Sequence, residues 1–117
     1  MKKLAASTIA ILVLATTSFA APKGKTFKGE IMDSACANMG SHDMMIKKEG
    51  AKDAKQCTVT CVKMGSKYVL FNAAGKTVYQ LDDQTKPEEF AGEKVNVKGT
   101  LNKKTGTIHV ADIQRAS

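Results

Sequence analysis

The stretch EKVNVKGTLNKKTGTIHVADI, residues 93–113, decides the fold class. Val95, Val97, Gly99 and Leu101 recur at every second position, which puts them on one face of an extended chain. Lys103 to Gly106 has the composition of a turn, and Ile108, Val110 and then Ile113 return the apolar face to the same side. Two such runs around a glycine-bearing turn predict an antiparallel hairpin. Upstream, KYVLFN (67–72) and KTVYQL (76–81) flank the turn NAAG and predict a second hairpin. Between the hairpins, TKPEEF (85–90) offers Thr85 as cap, Pro87 in the first turn and Glu88 three residues after the cap. That pattern predicts a short helix near 86–90, closed by Gly92. Further upstream, FKGEIMDS sets Phe27, Gly29 and Ile31 against Lys28, Glu30 and Met32, and this is the first strand. Gly29 within it marks a bend or a close backbone approach.

The order is strand, long excursion, strand, strand, short helix, strand, strand. The expected fold is mainly β: a five-stranded, OB-like barrel with an α-helix inserted between strands 1 and 2 and a short helix between strands 3 and 4. Closure into a barrel also removes exposed strand edges. The insertion spans 34–65. Gly40 to Asp43 reads as a turn, and Met44, Met45 and Ile46 start a short helical turn that Gly50 ends. Asp53 and Gln56 have the spacing of a capping box. They predict a helix over Ala54–Met64, stopped by Gly65.

The start of the chain has a separate role. MKKLAASTIAILVLATTSFA carries Lys2 and Lys3, an apolar run from Leu4 to Leu14 and small residues at Ser18 and Ala20. This predicts a signal peptide over residues 1–20, cut after Ala20, and a periplasmic or extracellular destination. Residues 21–26 are expected to be loose and 27–113 to form one domain. No later apolar run approaches the ~20 residues of a membrane span. The formal charge of +7 falls to +5 once Lys2 and Lys3 leave, and the lysines are spread without a basic run. Nucleic-acid binding is disfavoured. Phe27, Tyr68, Phe71, Tyr79 and Phe90 are the aromatics left after the cut, several are needed for the core, and export removes the usual partner.

Soft donor atoms gather in the insertion. Cys36, His42, Cys57 and Cys61 follow the spacing C-x5-H-x14-C-x3-C. Cys57 and Cys61 stand one above the other on a helix face. With Cys36 and His42 they make a candidate tetrahedral set for zinc or cuprous copper. Met39, Met44 and Met45 add thioethers that tilt toward copper or serve as apolar filler. A disulfide from Cys36 to Cys57 or Cys61 is the structural alternative, and a redox-active Cys57/Cys61 pair is the third. In an exported chain the odd cysteine count favours ligation, which leaves no stray thiol. His109 is expected to point outward without a role. No paired carboxylates, phosphate loop or cofactor fingerprint is present.

The segments FKGEI, YVLF, VNVKGTL and IHVADI resemble a bacterial OB-fold family of small periplasmic proteins. GEIMDSACA, QCTVTCVKMGSKYVLF and FAGEKVNVKGTL together are similar to a family of small secreted bacterial proteins of unknown function. The resemblance covers roughly Phe27 to Ile113. In that family a histidine follows the first cysteine after about three residues, whereas His42 follows Cys36 after five. The expected function is an exported, non-enzymatic binding module for a small ligand, a metal ion or an envelope component. A thiol redox protein using Cys57 and Cys61 is the alternative.

Overall fold

The structure, a computed structural model, describes residues 24–117; the expected signal peptide and residues 21–23 lie outside the described residues. Among the described residues there are five strands: β1 (Lys25–Asp33), β2 (Tyr68–Asn72), β3 (Thr77–Leu81), β4 (Lys94–Asn102) and β5 (Thr107–Arg115). They form one mixed sheet whose hydrogen-bonded ladder closes on itself in the order β1-β2-β3-β5-β4. β1 makes closure possible because it is shared. Lys25 to Glu30 pair with β4, and Glu30 to Asp33 pair with β2. The weakest seam is the parallel β3–β5 contact, with only Gln80↔Thr107 and Leu81↔Ile108 in register.

The period-two reading holds strand by strand. Ile31 faces Leu70, Gly29 faces Val95 and Phe27 faces Val97. These positions, with Ile108, Val110 and Ile113, build the barrel interior. Ile113 is out of phase with Ile108 and Val110, and a register shift at Lys98/Gly99 explains it. Ala111 is the extra residue opposite that step, so the later part of β5 turns its apolar side inward again. Gly99 is required there. A Cβ would collide with the His109 carbonyl oxygen of the neighbouring strand.

The helices differ from expectation. The insertion holds three α-helices rather than one: α1 (Ser34–Met39), α2 (Asp43–Glu49) and α3 (Ala54–Lys63). α1 was not foreseen, because six residues give no apolar period to read. It is defined by its ends. Asp33 caps it by accepting from Cys36 N at 3.0 Å, and Gly40 closes it in the left-handed region at φ 77°. α2 starts at Asp43, inside the expected turn, and Gly50 ends it. α3 begins as its capping box predicts, with Asp53 accepting from Gln56 N at 2.8 Å. Gln56 reaches back to Lys52 N at 2.6 Å. The short helix is a 3-10 turn, Lys86–Phe90. Asp83, not Thr85, caps it, by accepting from the amides of Thr85 and Lys86.

The insertion creates a second core on the outside of the barrel. Met32, Val69 and Phe71 point away from the barrel interior, yet they are buried with Cys36, Ala37, Cys57 and Cys61 beneath the helices. An outward-facing strand position is normally polar. Here the helices cover it. No helix among the described residues is long and apolar enough to cross a membrane.

Candidate metal centre

The four donors reach the second core on three supports. β1 ends at Asp33, which turns the chain into α1 and so carries its own carboxyl group to the base of the insertion. Cys36 is three residues on, in the first turn of α1. A pair of bonds locks this corner to the barrel. Ser34 N donates to Lys67 O at 2.9 Å, and Lys67 N donates to Ser34 Oγ at 3.2 Å. Cys57 and Cys61 come from successive turns of α3, as their spacing requires.

The side-chain donors of Asp33, Cys36, Cys57 and Cys61 all lie within 4.8 Å of one another. Asp33 and Cys36 are fully buried, and Cys57 and Cys61 nearly so. The Sγ atoms of Cys36 and Cys57 are 3.7 Å apart. Thiolates bound to one zinc at about 2.3 Å in tetrahedral geometry stand about 3.8 Å from each other, so this separation matches an edge of the coordination tetrahedron. It is far from the ~2.05 Å of a sulfur–sulfur bond. All three cysteines are free, so the structure contains neither of the disulfides considered from the sequence.

The carboxyl group is the informative member. Asp33 Oδ2 serves the helix cap, but Oδ1 is buried with no hydrogen-bond partner. A buried carboxyl oxygen without a partner costs several kcal/mol, and a bound cation removes that cost. Burial, reinforced by hydrogen bonding to Asp33 and its nearby charge, pushes the Cys36 thiol well up. Burial followed by the charge of Asp33 pushes the Cys61 thiol up to about 11. Such thiols are poor nucleophiles in water. A cation is the partner that would make them thiolates. A small cleft of about 100 Å³ between Gly50–Ala51 and α3 reaches Cys57 and Cys61 from outside.

His42 is not part of this group. It stands at the start of α2, beyond the left-handed turn at Gly40. Its Nε2 lies 3.5 Å from Glu30 Oε2 on β1. Spacing placed His42 near the cysteines in sequence, but the α1–α2 turn points it at the barrel wall instead. Asp33 supplies the fourth donor. Its signal in the sequence was the D-x-x-C spacing, which on a capped helix brings residues 33 and 36 to the same side. Met39 and Met44 are exposed. Met32 is the methionine packed with the cysteines. His109 points outward as expected, but its Nδ1 is hydrogen-bonded to Asp82 Oδ2, and Asp82 Oδ1 accepts from Val110 N at 2.9 Å. The pair extends the short β3–β5 seam.

Residues 61–116 match the model of a protein family of unknown function, DUF5818. The match runs from the last cysteine through β5, so it contains four of the strands and one of the four clustered donors. It does not support the bacterial OB-fold periplasmic family that the strand motifs resemble. No curated protein and no solved structure matches the chain.

Proposed function

We propose that this chain is an exported binding module with an OB-like barrel, whose helical insertion is fastened by a zinc ion held by Asp33, Cys36, Cys57 and Cys61. One observation carries the reading: three sulfurs and a carboxylate oxygen of Asp33, whose Oδ1 has no hydrogen-bond partner, converge in a buried group no wider than 4.8 Å. The oxygen donor favours zinc over cuprous copper, which prefers sulfur alone. Four protein donors leave no open position, so the ion is structural rather than catalytic. The binding surface is then the barrel wall and the helices that the ion holds against it. The envelope redox alternative has less support, because Cys57 and Cys61 are buried and the Cys61 thiol is pushed up rather than acidified.

Native mass spectrometry of the exported protein tests both parts. The expected species starts at Ala21 and carries one zinc, which a chelator removes. A metal-free species two hydrogens below the reduced mass would replace the clamp with a disulfide. A chain that still begins at Met1 would refute export.

A further inference from the structure

We propose that the metal centre is also a site of thiol oxidation, at which hydrogen peroxide oxidises Cys57, Cys36 closes a disulfide onto it, and the zinc ion is released. This deepens the reading above, on which it rests, by giving the same site a chemical regulator.

The three sulfurs are not equivalent toward a molecule outside. Cys57 and Cys61 line the cleft of about 100 Å³ beside α3, together with Ala51 and Thr60. Cys36 does not line it and is fully buried. A water takes up about 30 Å³ of liquid, so the cleft holds a molecule the size of a peroxide and excludes glutathione or a protein thiol. Oxidation therefore begins on α3 and is resolved from within. Of the two α3 cysteines, Cys57 has a resolving partner, because its Sγ lies 3.7 Å from Sγ of Cys36. Those atoms come from separate helices, and side-chain rotation has only to bring them to the ~2.05 Å of a bond. Cys57 and Cys61 stand on successive turns of one helix, where a bond would pull both side chains out of their helical directions. The product also holds what the ion held. Asp33 caps α1 by accepting from Cys36 N, and Ser34 locks the same corner to Lys67. A Cys36–Cys57 bond therefore fastens that corner of the barrel to α3, and the insertion stays docked after the metal has gone.

One peroxide closes the electron count. Ligated sulfur is thiolate, the nucleophilic form. The Cys57 sulfur attacks one peroxide oxygen, the O–O bond breaks, hydroxide leaves and a sulfenic acid forms. The Cys36 thiolate attacks that sulfur, the S–O bond breaks and a second hydroxide leaves. Two protons from solvent convert the hydroxides to water, and the two sulfurs have given two electrons to the peroxide. Asp33 and Cys61 are then the donors left, too few for a structural zinc site, and Cys61 stays a thiol.

Zinc-loaded protein, prepared without oxidant and treated with one equivalent of hydrogen peroxide, tests this. A chromophoric chelator follows zinc release, fragment-ion mass spectrometry maps the bond, and circular dichroism reports folding. About one zinc per chain should appear, Cys36 and Cys57 should be joined, and iodoacetamide should label Cys61 alone. The dichroism should be retained, and dithiothreitol with zinc should restore the starting state. Ala51→Leu, which narrows the cleft, should slow release about fivefold without changing zinc content. Thr60→Trp, which covers it from α3, repeats the test if Ala51→Leu does not fold. A bond between Cys57 and Cys61 or between chains, unfolding on oxidation, or release unslowed by either cleft variant would overturn the proposal. Zinc content is measured on every sample before treatment. Bound zinc that excess peroxide does not release counts against the oxidation alone. A chain without zinc from the outset that still joins Cys36 to Cys57 counts against the clamp alone.

Discussion

Asp33→Asn separates a metal ligand from a helix cap. Asn and Asp cap helices about equally well, so the bond to Cys36 N survives and α1 should be unaffected. What changes is Oδ1, whose place is taken by an amide NH2 that cannot bind a cation, because the single amide oxygen stays on Cys36 N. Structural zinc sites contribute about 10–16 kcal/mol, or roughly 2.5–4 kcal/mol for each of four donors. Water filling the vacated position recovers part of that, so zinc affinity should fall about 100-fold, or ~2.7 kcal/mol. The same loss appears in the stability of the zinc-loaded protein, because the ion binds the folded state. For a domain of this size it lowers the melting temperature by about 10–20 °C. The metal-free protein should respond with the opposite sign. There the substitution removes a buried carboxyl oxygen that has no partner, so stability should hold or rise by about 1 kcal/mol. Competition with a chromophoric chelator reads the affinity, and urea unfolding of reduced protein with and without zinc reads the two stabilities. Unchanged zinc affinity, or a metal-free variant weakened by 2 kcal/mol or more, would show that Asp33 is only a cap.

Three other outcomes follow from particular contacts. Cys36, Cys57 and Cys61 must each lose a proton to bind a metal, and burial pushes the Cys36 and Cys61 thiols up, so zinc affinity should rise by about three decades per pH unit between pH 5 and 8; a flat profile would contradict thiolate ligation. Asp82 is held below the usual carboxylate range, first by the Val110 amide and then by His109. Its stabilising effect is therefore present above pH ~4 and lost as pH falls through its lowered value. Because the group is partly exposed, Asp82→Asn should remove under about 1 kcal/mol of acid-dependent stability in urea titrations from pH 6 to 2, and an unaltered pH profile would count against the seam contact. Gly99→Ala should cost more than about 3 kcal/mol, since neither the bulge nor the His109 carbonyl can yield without opening the β4–β5 ladder; near-wild-type urea unfolding would show that the barrel relaxes there.

β1, β4 and β5 were legible because alternation survives in them, and even the phase slip at Ile113 is visible as a broken period; β2 and β3 were legible as short apolar runs around a turn, although β2 is buried on both faces. α3 was legible from Asp53 and Gln56, which act locally. α1 was not, because its single turn is specified by a cap at each end and by packing against β1. The burial of Met32 and Phe71 was also hidden. In a lone strand they belong to the solvent face, and only the helices above them reverse that. The site divides in the same way. Cys57 and Cys61 follow from helical spacing alone, and Cys36 joins them from a distant segment. The choice between Asp33 and His42 depends on the direction of a left-handed turn at Gly40, which spacing does not encode.

Asp33 and Tyr68 face each other in register, with the whole insertion between them. An unstructured loop of that length costs about 3 kcal/mol to close before the strands gain anything from pairing. An ion joining Asp33 and Cys36 to Cys57 and Cys61 shortens the free segment to the few residues after Cys61. β1 and β2 then meet as a hairpin whose turn is a metal complex. The most distant pairing in the barrel, Lys25 with Gly99, next recruits β4 onto a strand already held in place. A zinc ion at the proposed site would lower the effective contact order of the chain, and refolding followed by stopped-flow should then be faster with the ion than without it. Equal rates would mean that the helices dock only after the barrel has closed.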